Sequence, residues 1–314
     1  MAAGKTTGSA RRSGITLLDG GTGRELMRIG APFRQPEWSA LALIEAPDFV
    51  TRVHRAYVEA GADVITTNSY AIVPFHIGAE CFATDGARLA ALAGQLARAV
   101  ADTARTRVRV AGSLPPICGS YRADWFQPEL ARPILATLTE ALGPSIDHWQ
   151  AETLSAIAEA ELVREVLGRD PRPLWLSFTL KDERATRGPP LLRSGEPVDA
   201  AVSAAIGLGA TAVLFNCSQP EVMGDAVDHA RDVLTAAGRV GDGGIAIGVY
   251  ANAFAPQRAD ATANSGLSAI RSDLTPAGYR KWVEDWLGRG ATIVGGCCGI
   301  GPEHIRVLDE ALGA

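Results

Sequence analysis

Eight times along the chain a short apolar run gives way to a longer stretch whose apolar residues fall three or four positions apart, and this alternation limits the fold more than any other feature. The short runs read as strands near Ile15–Asp19, Asp63–Thr67, Arg107–Ala111, Ser145–Ala151, Leu174–Thr179, Ala212–Phe215, Ile245–Val249 and Thr292–Val294. The longer stretches read as helices near Asp48–Ala60, Thr84–Arg105, Glu129–Leu142, Ser155–Leu167, Val198–Leu208, Pro220–Ala237, Pro276–Leu287 and Pro302–Leu312. In the first of these helices Phe49, Val53, Ala56, Tyr57 and Ala60 share one face, and Gly61 ends it. Strands that alternate with helices make a parallel sheet, so the class is α/β. A doubly wound open sheet would follow its first strand with G-x-G-x-x-G, whereas this one runs into DGGTGREL. The expected architecture is therefore a single (β/α)8 barrel of the TIM type over residues 14–314.

Composition narrows the function classes. With 47% hydrophobic and 21% charged residues the chain is globular, and no apolar run is long enough to span a membrane. A net charge of −5 argues against a nucleic-acid partner, which would favour a basic face. Residues 1–13 are basic and rich in small residues but lack the apolar centre of a signal peptide, and read as a disordered tail. Five cysteines, Cys81, Cys118, Cys217, Cys297 and Cys298, are an odd set with an adjacent pair. That is a poor disulfide framework, and it points to a reducing, cytoplasmic setting in which free thiols serve as ligands or nucleophiles.

A barrel of this kind keeps its chemistry at the carboxyl ends of its strands. Those positions hold Asp19, Asn68, Ser113, Glu152, Thr179, Asn216-Cys217, Asn252 and Cys297-Cys298. Only one strand separates the sixth from the eighth, so the barrel draws Cys217 towards Cys297 and Cys298. Neighbouring side chains in an extended strand point to opposite faces, but Gly295, Gly296 and Gly299 permit a turn that swings both sulfurs to one side. Three thiolates suit zinc at ~2.3 Å and leave a fourth, open position, as in a catalytic site. The same residues also fit small buried core positions or a vicinal disulfide. None of the five histidines has ligand spacing, and His54, His229 and His304 fall on helices as surface or packing residues. Cys81 and Cys118 are expected to be non-ligands.

LLDGGTGREL, ADVITTNSY, AET after the fourth strand, SFTLKD after the fifth, NCSQPE after the sixth and GGCCGIGPEHI occur in one order. Together they resemble the homocysteine S-methyltransferase family of zinc-dependent (β/α)-barrel enzymes, over nearly the whole chain from Ile15 onward. The resemblance implies that Cys217, Cys297 and Cys298 bind Zn2+, and that Asp19 and Glu152 hold the homocysteine amino group. In some members an asparagine after the seventh strand approaches the metal, so Asn252 is either a weak fourth ligand or a residue that hydrogen-bonds backbone in its own loop. The chain departs from the family pattern after the third strand, where Gly112–Tyr121 carries the Pro115-Pro116 pair and a longer loop. That loop is expected to wall the donor pocket.

The chemistry accounts for the same residues. A free thiol with a pKa of ~8.5 is mostly protonated at neutral pH, and a coordinated one is deprotonated. The expected reaction moves a methyl group from a small sulfonium, S-methylmethionine or S-adenosylmethionine, to homocysteine thiolate, giving methionine. Trp38, Tyr70, Tyr121 and Trp125 are loop aromatics able to hold such a donor by cation–π contact. The alternatives are betaine or another onium donor, and a different thiol or selenol acceptor. A third reading, a non-catalytic zinc or redox sensor, leaves Asp19 and Glu152 without a purpose. The partners expected are thus small molecules, with neither nucleic acid nor membrane among them.

Overall fold

The computed structural model describes residues 14–182, 188–255 and 268–313. The disordered tail expected over residues 1–13 lies outside them. The strands are β1 (Thr16–Leu17), β2 (Val64–Thr66), β3 (Arg109–Leu114), β4 (His148–Leu154), β5 (Leu174–Phe178), β6 (Ala212–Asn216), β7 (Ala246–Tyr250) and β8 (Ile293–Val294). All pair in parallel in the order β1-β8-β7-β6-β5-β4-β3-β2. A bridge between Leu18 and Val64 joins the two ends, where Asp63 N–H donates to the Leu17 carbonyl at 2.7 Å and Asp19 N–H to that of Val64 at 3.0 Å. The sheet is thereby a (β/α)8 barrel, as the alternation requires.

The helices are α1 (Thr22–Arg28), α2 (Ser39–Glu45), α3 (Pro47–Glu59), α4 (Pro74–Ile77), α5 (Ala79–Asp102), α6 (Pro128–Leu142), α7 (Ile157–Leu167), α8 (Val198–Gly207), α9 (Pro220–Ala236), α10 (Pro276–Arg289) and α11 (Pro302–Leu312). Local chemistry sets their ends. At α10 the Thr275 hydroxyl accepts from Gly278 N–H, Pro276 takes the first helical position, and Gly290 turns left-handed beyond the last turn. The three short helices α1, α2 and α4 are absent from the sequence expectation, because four to seven residues are too few to establish a helical period.

The fourth strand needs a correction. It was expected over Ser145–Ala151, but Ser145 belongs to a 3-10 turn with Gly143 and Pro144, and β4 starts at His148 and runs on to Leu154. Its pairing with β5 slips between Ala151 and Leu154, and there Thr153 takes a φ of 60°. Glu152 therefore lies within a bulged strand, not beyond it. A bulge re-aims a side chain without altering the apolar pattern that reports the strand.

Burial divides into two layers. The larger lies between sheet and helices, with Trp149, Phe178, Phe215, Tyr57 and Trp286 buried in it. The smaller fills the barrel with Leu18, Val64, Trp175, Leu214, Tyr250 and Ile293, so the interior is packed and only its carboxyl-end mouth is left for polar groups. Among the described residues no helix is long and apolar enough to cross a membrane.

Candidate metal centre

Cys217 leaves the end of β6 with a φ of 53°, and Cys297-Cys298 follow β8 after Gly295-Gly296. The three sulfurs all lie within 4.8 Å of one another, and those of Cys217 and Cys297 are 2.6 Å apart. Backbone bonds strap this loop to the one after β7: Cys297 N–H donates to the Ala251 carbonyl at 2.9 Å, and Ala253 N–H to that of Cys298 at 2.8 Å. Buried tyrosines hold the loop from behind, the Tyr279 hydroxyl donating to the Gly295 carbonyl at 2.7 Å and that of Tyr57 to Ile300 at 3.1 Å. On the other side the Asp19-Gly20-Gly21 turn packs directly on it. A Cβ at Gly21 would stand 2.6 Å from the Cys297 carbonyl oxygen, and one at Gly20 would stand 2.2 Å from that of Ile300.

Three thiols this close, Cys217 buried and the other two half-buried, cannot all ionise side by side. Hydrogen bonds from Cys217 and Cys297 hold the Cys298 sulfur well below the usual thiol range. The bonds to Cys217 and Cys298, together with burial, push the Cys297 thiol up. At Cys217 a hydrogen bond from Cys297 pulls down, but the bond to Cys298 and burial outweigh it. One negative charge shared among three sulfurs is a donor set that a soft divalent cation completes, and thiolates around zinc stand ~3.8 Å apart when its bonds are ~2.3 Å. The residues fit such an ion as a donor set, although the Cys217 and Cys297 sulfurs, 2.6 Å apart, would have to part to hold it.

Asp19 and Glu152 share this mouth. Asp19 accepts from Thr66 twice, from its N–H at 2.7 Å and its hydroxyl at 3.0 Å. Glu152 accepts from the Ser113 hydroxyl at 2.5 Å and the Tyr250 hydroxyl at 3.3 Å. Burial raises both carboxyls to about 7, the hydrogen bonds opposing it, and Glu152 adds its charge at Asp19. Among the described residues neither has a cationic partner. Both line one cavity with all three cysteines, and the profile of the homocysteine S-methyltransferase family matches residues 16–312.

The chain belongs to the homocysteine S-methyltransferase family. It is accordingly a methyltransferase, which sets aside a non-catalytic sensor. It is 30% identical to the homocysteine S-methyltransferase of Escherichia coli, over 94% of each chain. To the selenocysteine methyltransferase of Astragalus bisulcatus it is 26% identical, over 94% of this chain and 92% of that one. The metallated form of the homocysteine methyltransferase MmuM from Escherichia coli superposes with a TM-score of 0.72 at 27% identity, covering 96% of this chain and 97% of that one.

Against the family pattern, Asn252 is placed differently from the other candidates. Its amide oxygen accepts from Phe254 N–H at 3.1 Å, its amide nitrogen is buried without a partner, and it is not among the residues lining the cavity. Of the loop aromatics, Trp38, Tyr70 and Tyr121 line the cavity. Trp125 instead packs 6.2 Å from the Phe75 ring, beneath the Arg122 guanidinium. Ser120 and Tyr121 bring the atypical loop to the cavity wall, with the Ser120 hydroxyl 2.6 Å from that of Tyr70. Cys81 and Cys118 stand outside the thiol cluster, and His54 is fully buried on α3.

Several residues of the site escaped the sequence reading of this family member. Arg24 and Phe254 line the cavity, yet neither stands at a strand end. Asn216 was noted as a neighbour of Cys217 but given no role. Its amide oxygen accepts from Thr153 N–H at 2.9 Å and the Ser177 hydroxyl at 2.8 Å, while its nitrogen donates to the Thr153 hydroxyl at 2.9 Å. Asn216 thus ties the bulge that carries Glu152 to the residue before Cys217.

Proposed function

We propose that this methyltransferase moves a methyl group from a small sulfonium, S-methylmethionine or S-adenosylmethionine, to the thiol of homocysteine, giving methionine, with zinc held by Cys217, Cys297 and Cys298. One observation carries the reading: two buried carboxylates with no ion-pair partner among the described residues share a single cavity with a three-thiol cluster. A small molecule with an ammonium at one end and a sulfur at the other complements both.

Zinc bound by the three cysteines would supply a fourth coordination position that favours the acceptor thiol as its thiolate. The chain's own residues do the rest. Asp19 and Glu152 hold the ammonium, and the Thr66, Ser113 and Tyr250 hydrogen bonds keep the two carboxylates in place. Trp38, Tyr70 and Tyr121 offer ring faces to the positive donor. A lone pair of the acceptor sulfur forms the new S–CH3 bond while the donor's S–CH3 bond breaks, and its electron pair returns to the donor sulfur as a neutral thioether. Alignment of the two sulfurs about the methyl is the main requirement.

The test is a donor panel assayed with homocysteine on zinc-loaded protein: S-methylmethionine, S-adenosylmethionine and betaine, with a selenol acceptor in parallel. Methionine should form from a sulfonium and cease on chelation. Turnover undiminished after complete metal removal, or none with any sulfonium, sinks the reading.

A further inference from the structure

Arg24 stands in the cavity wall without an acid to answer it among the described residues. It is the third residue of α1, one helical turn past the Asp19-Gly20-Gly21 corner. Its Nη2 donates to the Ser268 carbonyl, and its guanidinium lies 5.3 Å from the centre of the Phe254 ring. Its Nε is buried with no hydrogen-bond partner. Among the described residues it makes no ion pair, although the next residue, Glu25, is paired with Arg28 at 2.6 Å. The fold therefore supplies a carboxylate one position away and withholds it here. Arg24 also lies near enough to Cys298 for its charge to favour the ionised sulfur, so it belongs to the same mouth as the thiol cluster.

A guanidinium in a cavity wall, held against a ring face and by one carbonyl, with no acid beside it among the described residues, is a receptor for a planar anion. The cavity then has separate places for the two charges of an amino acid: the acid pair for its ammonium, and Arg24 for its carboxylate. We infer that Arg24 is the carboxylate subsite of this cavity, taking the α-carboxylate of an amino-acid substrate. The inference rests on the reading that the cavity takes amino acids. That carboxylate belongs either to the acceptor or to a donor that is itself an amino acid, and the experiment separates the two.

Zinc-loaded protein is titrated calorimetrically with two matched pairs. Methionine and 3-(methylthio)propylamine probe the acceptor place; S-methylmethionine and its decarboxylated sulfonium amine probe the donor place. Wild type should prefer the carboxylate member of one pair by roughly 10- to 100-fold, the value of hydrogen bonds to a charged group. Arg24→Gln should erase that preference while leaving the affinity of the decarboxylated member unchanged, and the pair that responds names the source. Arg24→Lys, which keeps the charge but loses the fork, should recover part of it, and it serves as the variant should Arg24→Gln fail to fold. Preference retained in Arg24→Gln for both pairs overturns the subsite while the proposed function stands. Absence of binding by all four ligands in wild type overturns the proposed function and the subsite with it.

Discussion

At the residue scale the site works by leaving charge unmet. Asp19 and Glu152 are raised to about 7 by burial, so both gain protons as the pH falls through about 7, and only their ionised forms can pair with an ammonium. Methionine has no thiol to titrate, so its binding reports these carboxyls alone. Its affinity should fall as the pH drops from 8 to 6, and Glu152→Gln should weaken it at pH 8 and flatten the profile without changing zinc content. A profile equally steep in that variant would remove Glu152 from ammonium binding. Asn216 offers a second test. Asn216→Ala leaves the Thr153 N–H and the Ser177 hydroxyl without their acceptor, at a cost of about 1–3 kcal/mol for each buried group left unsatisfied. Both zinc retention and methionine affinity should suffer, because the amide links Glu152's bulge to Cys217's turn. Loss of one without the other, in protein that still melts cooperatively, would separate what the structure joins.

At the scale of elements, the β1–α1 corner and the β8–α11 loop are built as one piece. Gly21 is one of the places where they touch, and an added methyl would meet the Cys297 carbonyl and the Cys298 Cα, both backbone atoms that cannot rotate away. Gly21→Ala should therefore cost about 1–3 kcal/mol, as overpacking does, and lower zinc affinity by displacing the cysteine loop. Thermal melts with and without zinc would show it, and a variant matching wild type in both would mean the corner yields elsewhere. The longer helices were legible because their apolar stripes extend over several turns, as in α9, which buries Met223, Val227, Ala230 and Leu234. The helices α1, α2 and α4 were not, and α1 carries Arg24. A residue on an unrecognised helix could not be assigned to the cavity.

For the whole molecule, closure of the barrel would couple the proposed metal to stability. The three cysteines come from the ends of β6 and β8, which are not hydrogen-bonded to each other, so an ion held across them would bind only the folded chain. Chelation should lower the melting temperature, by an amount corresponding to about 2.7 kcal/mol if the free metal stands at 100 times its dissociation constant. Cys298→Ala should melt with the chelated protein and show no further shift, and an unchanged melting temperature on chelation of wild type would argue against metal binding. The amino-acid sequence by itself determined the α/β alternation, the count of eight strands, the gathering of Cys217 with Cys297 and Cys298, and the candidacy of Asp19 and Glu152. Periodicity and strand ends are local, and eight strands closing in chain order leave little freedom in which ends meet. Only the tertiary structure decided that Glu152 rides a bulge, that Phe254 holds the oxygen of Asn252, and that Arg24 lines the cavity with no ion pair among the described residues. The bulge and the setting of Arg24 depend on partners from distant parts of the chain, and the Asn252 bond on how its own loop turns two residues on; neither spacing nor composition records those choices.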